Sequence, residues 1–81
     1  MPALTDVEQR TREIVGRFFR KPPGDLRPET RLREDLGADS LDLVELLFEI
    51  EQELDVSIPE AEAADFRTIG DAVRHLQQAA P

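Results

Sequence analysis

The stretch that most restricts the fold is SLDLVELLFEIEQEL, residues 40–54, whose apolar side chains recur at helical and not at strand spacing. Asp39 is a good N-cap, and Asp42 three positions later makes a capping-box-like pair, so a helix is predicted to begin at Ser40. The run DVSIP ends it near Leu54. Placing successive residues 100° apart gathers Leu43, Leu46, Leu47, Ile50 and Leu54 within about 100° of one another, a core stripe. Leu41, Val44 and Phe48 form a second apolar group on another side of the helix. Asp42, Glu45, Glu49 and Glu53 occupy the arc between the two groups, and Glu51 lies beyond. From the wheel alone two readings stand. Either the helix is buried on most sides, or the second group is an exposed apolar patch ringed by carboxylates, as protein-binding surfaces are. The patch starts one residue after Ser40, so a partner gripping it would also meet that hydroxyl, which favours the second reading.

The rest of the chain reads as helices joined by breakers. A first helix is predicted from Thr5 to Phe19, with Leu4, Val7, Thr11, Ile14, Val15, Phe18 and Phe19 on one stripe. Arg10, Arg12, Glu13 and Arg17 take its other side, and Pro22, Pro23 and Gly24 end it. A long connection follows, in which Leu26, Leu32 and Leu36 are spaced as anchors and a short helical turn is expected near Glu29–Leu36. PEAEAADF suffices for a turn or two of helix, with Pro59 in its first turn. Thr68 and Asp71 make a second capping box, opening a last helix with Ile69, Ala72, Val73 and Leu76 on its inner face. Nothing reads as a strand. The expected fold class is all-α: a small bundle of three main helices plus one short one, with a long loop between the first two, in one domain over residues 1–81.

Charge narrows the partners. Residues 1–33 carry eight basic and five acidic side chains, residues 34–66 twelve acidic and no basic ones, and the remainder a net +1, giving −8 in all. Such a block repels nucleic acid and anionic lipid and attracts basic protein surfaces. No apolar run approaches the ~20 residues of a membrane span, and MPALTDVEQR lacks the basic-then-apolar order of a signal peptide. A soluble, cytoplasmic protein is expected, and the absence of cysteine rules out a disulfide framework or a thiolate metal site. Eighty-one residues bury only about 60% of the unfolded chain's surface, which leaves little room for a deep catalytic pocket.

Ser40 is the candidate chemical group. It either caps the helix or presents a hydroxyl where a phosphate is well accommodated, at a helix N-terminus. Autonomous nucleophilic catalysis would need an adjacent base. The one histidine, His75, lies within a helical pattern and reads as a solvated or partly packed residue. Asp39, Asp42 and Glu45 could attract divalent cations only loosely, with no calcium-loop motif and no paired histidines present, so no metal site is assigned.

Residues 35–76, DLGADSLDLVELLFEIEQELDVSIPEAEAADFRTIGDAVRHL, resemble the acyl carrier proteins of dissociated (type II) fatty acid synthases. The Asp-Ser-Leu after Leu-Gly-Ala, the acidic helix, Ile-Pro and the capped last helix carry the likeness, which reaches upstream through Leu32 and Thr30 and more loosely through the first helix. The resemblance implies a carrier and not an enzyme, with 4′-phosphopantetheine transferred from coenzyme A to Ser40 by a separate magnesium-dependent phosphopantetheinyl transferase. It also implies docking on basic-surfaced synthase enzymes. Asp39 precedes the modified serine, Leu41, Val44, Glu45 and Phe48 match partner-facing positions, and Asp39, Asp42 and Glu49 are expected to join them in the docking face. Leu46, Leu47, Ile50, Leu54, Ile58, Phe66 and Ile69 match positions lining the acyl-holding core. Leu43, Glu49 and Arg67 depart from the family, which commonly has a small polar residue, Ala and a neutral residue there. A monomer is expected. The alternatives are the acyl carrier of a type II polyketide synthase and, from a different class, an unmodified acidic adaptor that only docks basic partners. Gly-Ala-Asp-Ser favours an acyl carrier over a peptidyl carrier, where Gly-Gly-His-Ser is usual.

Overall fold

The computed structural model describes the backbone of residues 3–79 and the side chains of residues 6–78. Its four α-helices among those residues are α1 (Ala3–Phe19), α2 (Ser40–Leu54), α3 (Glu60–Ala63) and α4 (Ile69–Ala79), with a 3₁₀ turn at Pro23–Asp25. The all-helical fold expected from the sequence is the one observed. α1 packs against α2 and α4. None of these helices is long and apolar enough to cross a membrane.

α1 turns Val7, Thr11, Ile14 and Val15 inward, while Phe18 and Phe19 lie half-buried edge to face with ring centroids 5.0 Å apart. Leu4, placed on the same stripe from its spacing, lies outside the described side chains. Thr11 is a polar residue in full burial, and its hydroxyl is satisfied by donating to the Val7 carbonyl one turn back, at 2.7 Å. The helix stops where Arg20 takes a left-handed conformation, φ 59°, and Lys21 N–H bonds back to the Gly16 carbonyl at 2.8 Å. Two prolines then prevent its resumption.

The connection to α2 is long but not loose. Leu26 and Leu32 are buried and Leu36 packs against the core. Leu32 N–H donates to the Arg67 carbonyl, Ile69 N–H to Thr30 and Gly70 N–H to Pro28, at 2.9, 3.0 and 2.9 Å. Arg31 and Thr68 form an isolated antiparallel bridge within this ladder. A Cβ on Gly70 would stand 3.0 Å from the Pro28 carbonyl oxygen, so this close approach suits glycine. The helical turn expected near Glu29–Leu36 is present as hydrogen-bonded turns, with Asp35 N–H bonding to the Arg31 carbonyl at 3.0 Å and Gly37 N–H to the Arg33 carbonyl at 2.9 Å, and does not lengthen into an α-helix. Arg31 is held in the bridge to Thr68 at one end, and Gly37, at φ 73°, stops the winding at the other.

α2 begins and ends where predicted. Asp55 closes it in a left-handed conformation, and Val56 N–H returns to the Glu51 carbonyl at 3.2 Å. Arg10 Nη2 donates to the Glu53 carbonyl at 2.9 Å, and Arg17 pairs with the Glu53 carboxylate, so α1 supplies cations to the negative end of α2. Glu51 accepts from Ile58 N–H at 2.7 Å and ties down the segment after the helix. Pro59 is the N-cap of α3 rather than a member of its first turn. The capping box of α4 is complete: Asp71 N–H donates to Thr68 Oγ1 and Thr68 N–H to the Asp71 carboxylate, both at 3.1 Å. Leu46, Ile50, Phe66, Ile69, Ala72, Val73 and Leu76 join the α1 stripe in one hydrophobic core.

Candidate functional site

Ser40 is the first residue of α2 and is exposed. The capping function belongs to its neighbour: Asp42 N–H donates to Asp39 Oδ1 at 2.8 Å and Asp39 N–H to Asp42 Oδ2 at 3.2 Å. With the N-cap role taken by Asp39, the Ser40 hydroxyl is not the capping group, and the residue is exposed. Arg33 Nη2 donates to its Oγ at 3.4 Å. A guanidinium is a donor only and stays charged, so nothing in that contact activates the serine as a nucleophile. Upstream, Ala38 is buried and its N–H donates to the Leu32 carbonyl at 3.0 Å, which anchors the turn that delivers Asp39 and Ser40.

Along α2 the two apolar groups separate by exposure. Leu41, Val44 and Phe48 are 65%, 63% and 60% exposed, so the reading in which this helix is buried on most sides is excluded. Glu45 and Glu49 are exposed beside them and Asp42 is half-buried. Phe18 of α1 completes a shallow groove with Val44, Glu45, Phe48 and Glu49. Sequence reasoning counted Phe18 only as core. The available signal was its adjacency to Phe19, since neighbouring residues on a helix point 100° apart and cannot both face the centre of one core stripe.

On the inner side Leu46, Ile50, Phe66 and Ile69 are buried, and Leu47, Leu54 and Ile58 pack partly buried against them. Leu46, Leu47, Ile50, Phe66 and Ile69 line an apolar cavity of about 20 Å³, together with Val15, Leu32, Leu43, Ala63 and Ala72 from around the bundle. That is the room of about one water molecule, so the core is almost closed. Leu54 and Ile58 belong to the core without touching this cavity. Leu43, Ala63 and Phe66 are also the inner wall of a wider surface groove, about 510 Å³, flanked by Arg31, Arg33 and Arg67.

Two carboxylates here are electrostatically settled. Asp35 accepts from Arg31 N–H at 2.8 Å and pairs with the Arg31 side chain, which together hold its carboxyl below the usual range. Partial burial pushes the Asp71 carboxyl up, but the Thr68 and Arg67 N–H donors and the nearby Arg74 outweigh it and keep it low. His75 is partly packed, its Nδ1 3.0 Å from Glu62 Oε1 and its ring 4.9 Å from that of Phe66, and takes no part at Ser40. Among the described residues no cluster of three or more His, Asp or Glu side chains is arranged to hold a metal ion.

An exposed serine at a helix start, between an apolar ridge and a lined core, is the arrangement of a carrier for a covalently attached group. Residues 9–76 match the family described as the phosphopantetheine attachment site, and the chain belongs to that family. It is 40% identical over 75 residues to the acyl carrier protein of Phenylobacterium zucineum (strain HLK1), covering 93% of this chain and 95% of that one. In fold it is similar to the solved acyl carrier protein of Enterococcus faecalis, with a TM-score of 0.81 over 98% of this chain and 100% of that one, at 24% sequence identity.

Proposed function

We propose that this chain is an acyl carrier protein, a shuttle and not a catalyst, with Ser40 as the attachment point of 4′-phosphopantetheine. The observation that carries this reading is the exposed Ser40 hydroxyl, relieved of capping by the Asp39–Asp42 pair, on a helix whose outer face is apolar and whose inner face lines the cavity. These residues fit the group: the hydroxyl is open to a transferase, and the adjacent Arg33 guanidinium is compatible with a phosphodiester. When bound, the group supplies the thiol that this cysteine-free chain lacks, on which acyl chains travel as thioesters.

The chain's own part is presentation, docking and shelter. Asp39 and Asp42 hold the helix start, where Ser40 is exposed. Leu41, Val44 and Phe48 form the apolar knob of a docking face, and Asp39, Asp42, Glu45 and Glu49 form its acidic rim. Basic-surfaced partners, first the phosphopantetheinyl transferase and then enzymes of fatty acid synthesis, would meet that face quickly and leave it readily, because rim charges act mainly on association rate. Leu46, Leu47, Ile50, Phe66 and Ile69, backed by Leu54 and Ile58, would sheath the acyl chain. The nearly closed cavity implies that cargo enters by prising α2 from α3 and α4. Residues 1–81 act in this reading as one carrier unit, monomeric and cytoplasmic.

Incubation with coenzyme A, magnesium and a phosphopantetheinyl transferase tests it. Intact mass spectrometry is expected to show one added phosphopantetheine on the wild type and none on Ser40→Ala. Ser57, the only other serine, is the internal control and stays unmodified. Modification of Ser40→Ala would refute the assignment.

A further inference from the structure

The acidic block from 34 to 66 contains no cation of its own, and Ser40 lies inside it between Asp39 and Asp42. A phosphodiester there adds one more negative charge to a crowded region. The countercharge comes from just outside the block. Arg31 is engaged by Asp35, Arg74 by Asp71, and Arg17 by Glu53. Arg33, by contrast, has no carboxylate partner among the described residues and directs Nη2 at the neutral Ser40 oxygen, 3.4 Å away. It also stands on the wall of the groove whose floor, Leu43, Ala63 and Phe66, is the outer wall of the core cavity. Arg67 flanks the same groove.

We propose that Arg33 is a positioning residue for the arm: it binds the phosphodiester on Ser40 and turns the arm into the Arg33–Arg67 groove, toward the cavity, instead of out over the α2 face. The inference rests on the reading of Ser40 as the attachment point. Its physical basis is that guanidinium is the side chain best matched to a phosphate's oxygens, and that a contact at the root of a flexible arm sets the direction of everything beyond it. Phosphodiester and guanidinium are both exposed, so the bias is modest and salt-dependent.

The test uses full-length apo and holo protein, as wild type, Arg33→Gln and Arg33→Lys, with complete conversion verified by intact mass. Backbone amide shifts are compared between apo and holo forms at low and high sodium chloride, and the phosphodiester ³¹P resonance is recorded in parallel. In the wild type at low salt, conversion is expected to shift the amides of Leu43, Ala63 and Thr68 along the groove. Arg33→Gln should shrink those changes about two- to fivefold, the range an exposed ion pair supports, and Arg33→Lys should retain part of them. High salt should reproduce the loss in the wild type and leave Arg33→Gln unchanged. Groove shifts of equal size in Arg33→Gln, or wild-type changes confined to Val44 and Phe48, would overturn the proposal. A wild type that gained no mass would instead overturn the attachment reading, and this inference with it.

Discussion

Leu46 and Phe48 sit two positions apart on one helix and are 1% and 60% exposed. Their truncations should therefore separate stability from docking. Leu46→Ala is expected to cost about 2–5 kcal/mol, the transfer and cavity penalty of a buried leucine. Phe48→Ala is expected to stay within about 0.5 kcal/mol, as surface substitutions do, while slowing loading by the transferase. Urea unfolding alongside loading rates measures both, and a Phe48→Ala loss as large as that of Leu46→Ala would return Phe48 to the core. Arg20 offers a gain. It is a non-glycine residue at φ 59°, so Arg20→Gly should raise stability by about 1 kcal/mol, the left-handed penalty less glycine's greater unfolded freedom.

At the scale of elements, α4 depends on its first turn more than on its length. The Asp71 carboxylate accepts from Arg67 and Thr68 N–H groups that the helix itself leaves unpaired. Asp71→Ala should cost about 0.5–2 kcal/mol at neutral pH. It would also loosen the ladder between the long loop and the start of α4, since Arg67 and Thr68 take part in both the cap and the ladder. The pH dependence has a definite sign. The folded carboxyl is held below its unfolded value of about 3.9, so its stabilisation is present above that value and is lost as pH falls through the depressed one. The stability gap between wild type and Asp71→Ala should accordingly narrow in strong acid. Thermal melts of both proteins from pH 7 downward measure the gap, and a constant difference would assign the effect to packing instead.

Over the whole molecule, twelve carboxylates between residues 34 and 66 repel one another, and folding draws them together. Opposing them are exposed pairs such as Arg31–Asp35 and Arg74–Asp71, each worth little in water. Repulsion is expected to win, so the melting temperature should rise as salt screens charges beyond roughly 8 Å. Magnesium should act at lower concentration than sodium, because one divalent ion bridges two carboxylates. Melts in sodium and magnesium series at matched ionic strength decide the balance, and a temperature that falls with added salt would mean the exposed pairs dominate. The same field serves docking, since the block that burdens the isolated fold is what a basic partner neutralises.

What the sequence alone determined is local. The bounds of α2 and both capping boxes follow from residues three apart, Asp39 with Asp42 and Thr68 with Asp71, whose bonds need no tertiary neighbour. The core stripes of α1, α2 and α4 follow from helical periodicity. The existence of a second apolar group on α2 was equally legible, but not its direction. Whether Leu41, Val44 and Phe48 meet water depends on which face α1 and α4 cover, and a wheel contains no neighbours. The loop from 20 to 39 shows the same division. Leu26 and Leu32 announce themselves as anchors, yet the ladder to Arg67, Ile69 and Gly70 has no periodic signature, because its partners are far apart in the chain. Arg33 beside Ser40, Glu51 beneath Ile58 and the Arg10–Arg17 grip on Glu53 are likewise products of the assembled fold. Tertiary structure also decided the cavity, whose wall draws Val15, Leu32, Ala63 and Ala72 from four separate segments. Helical propensity is read residue by residue, whereas a wall, a groove and an ion pair exist only once packing has brought distant side chains to one place.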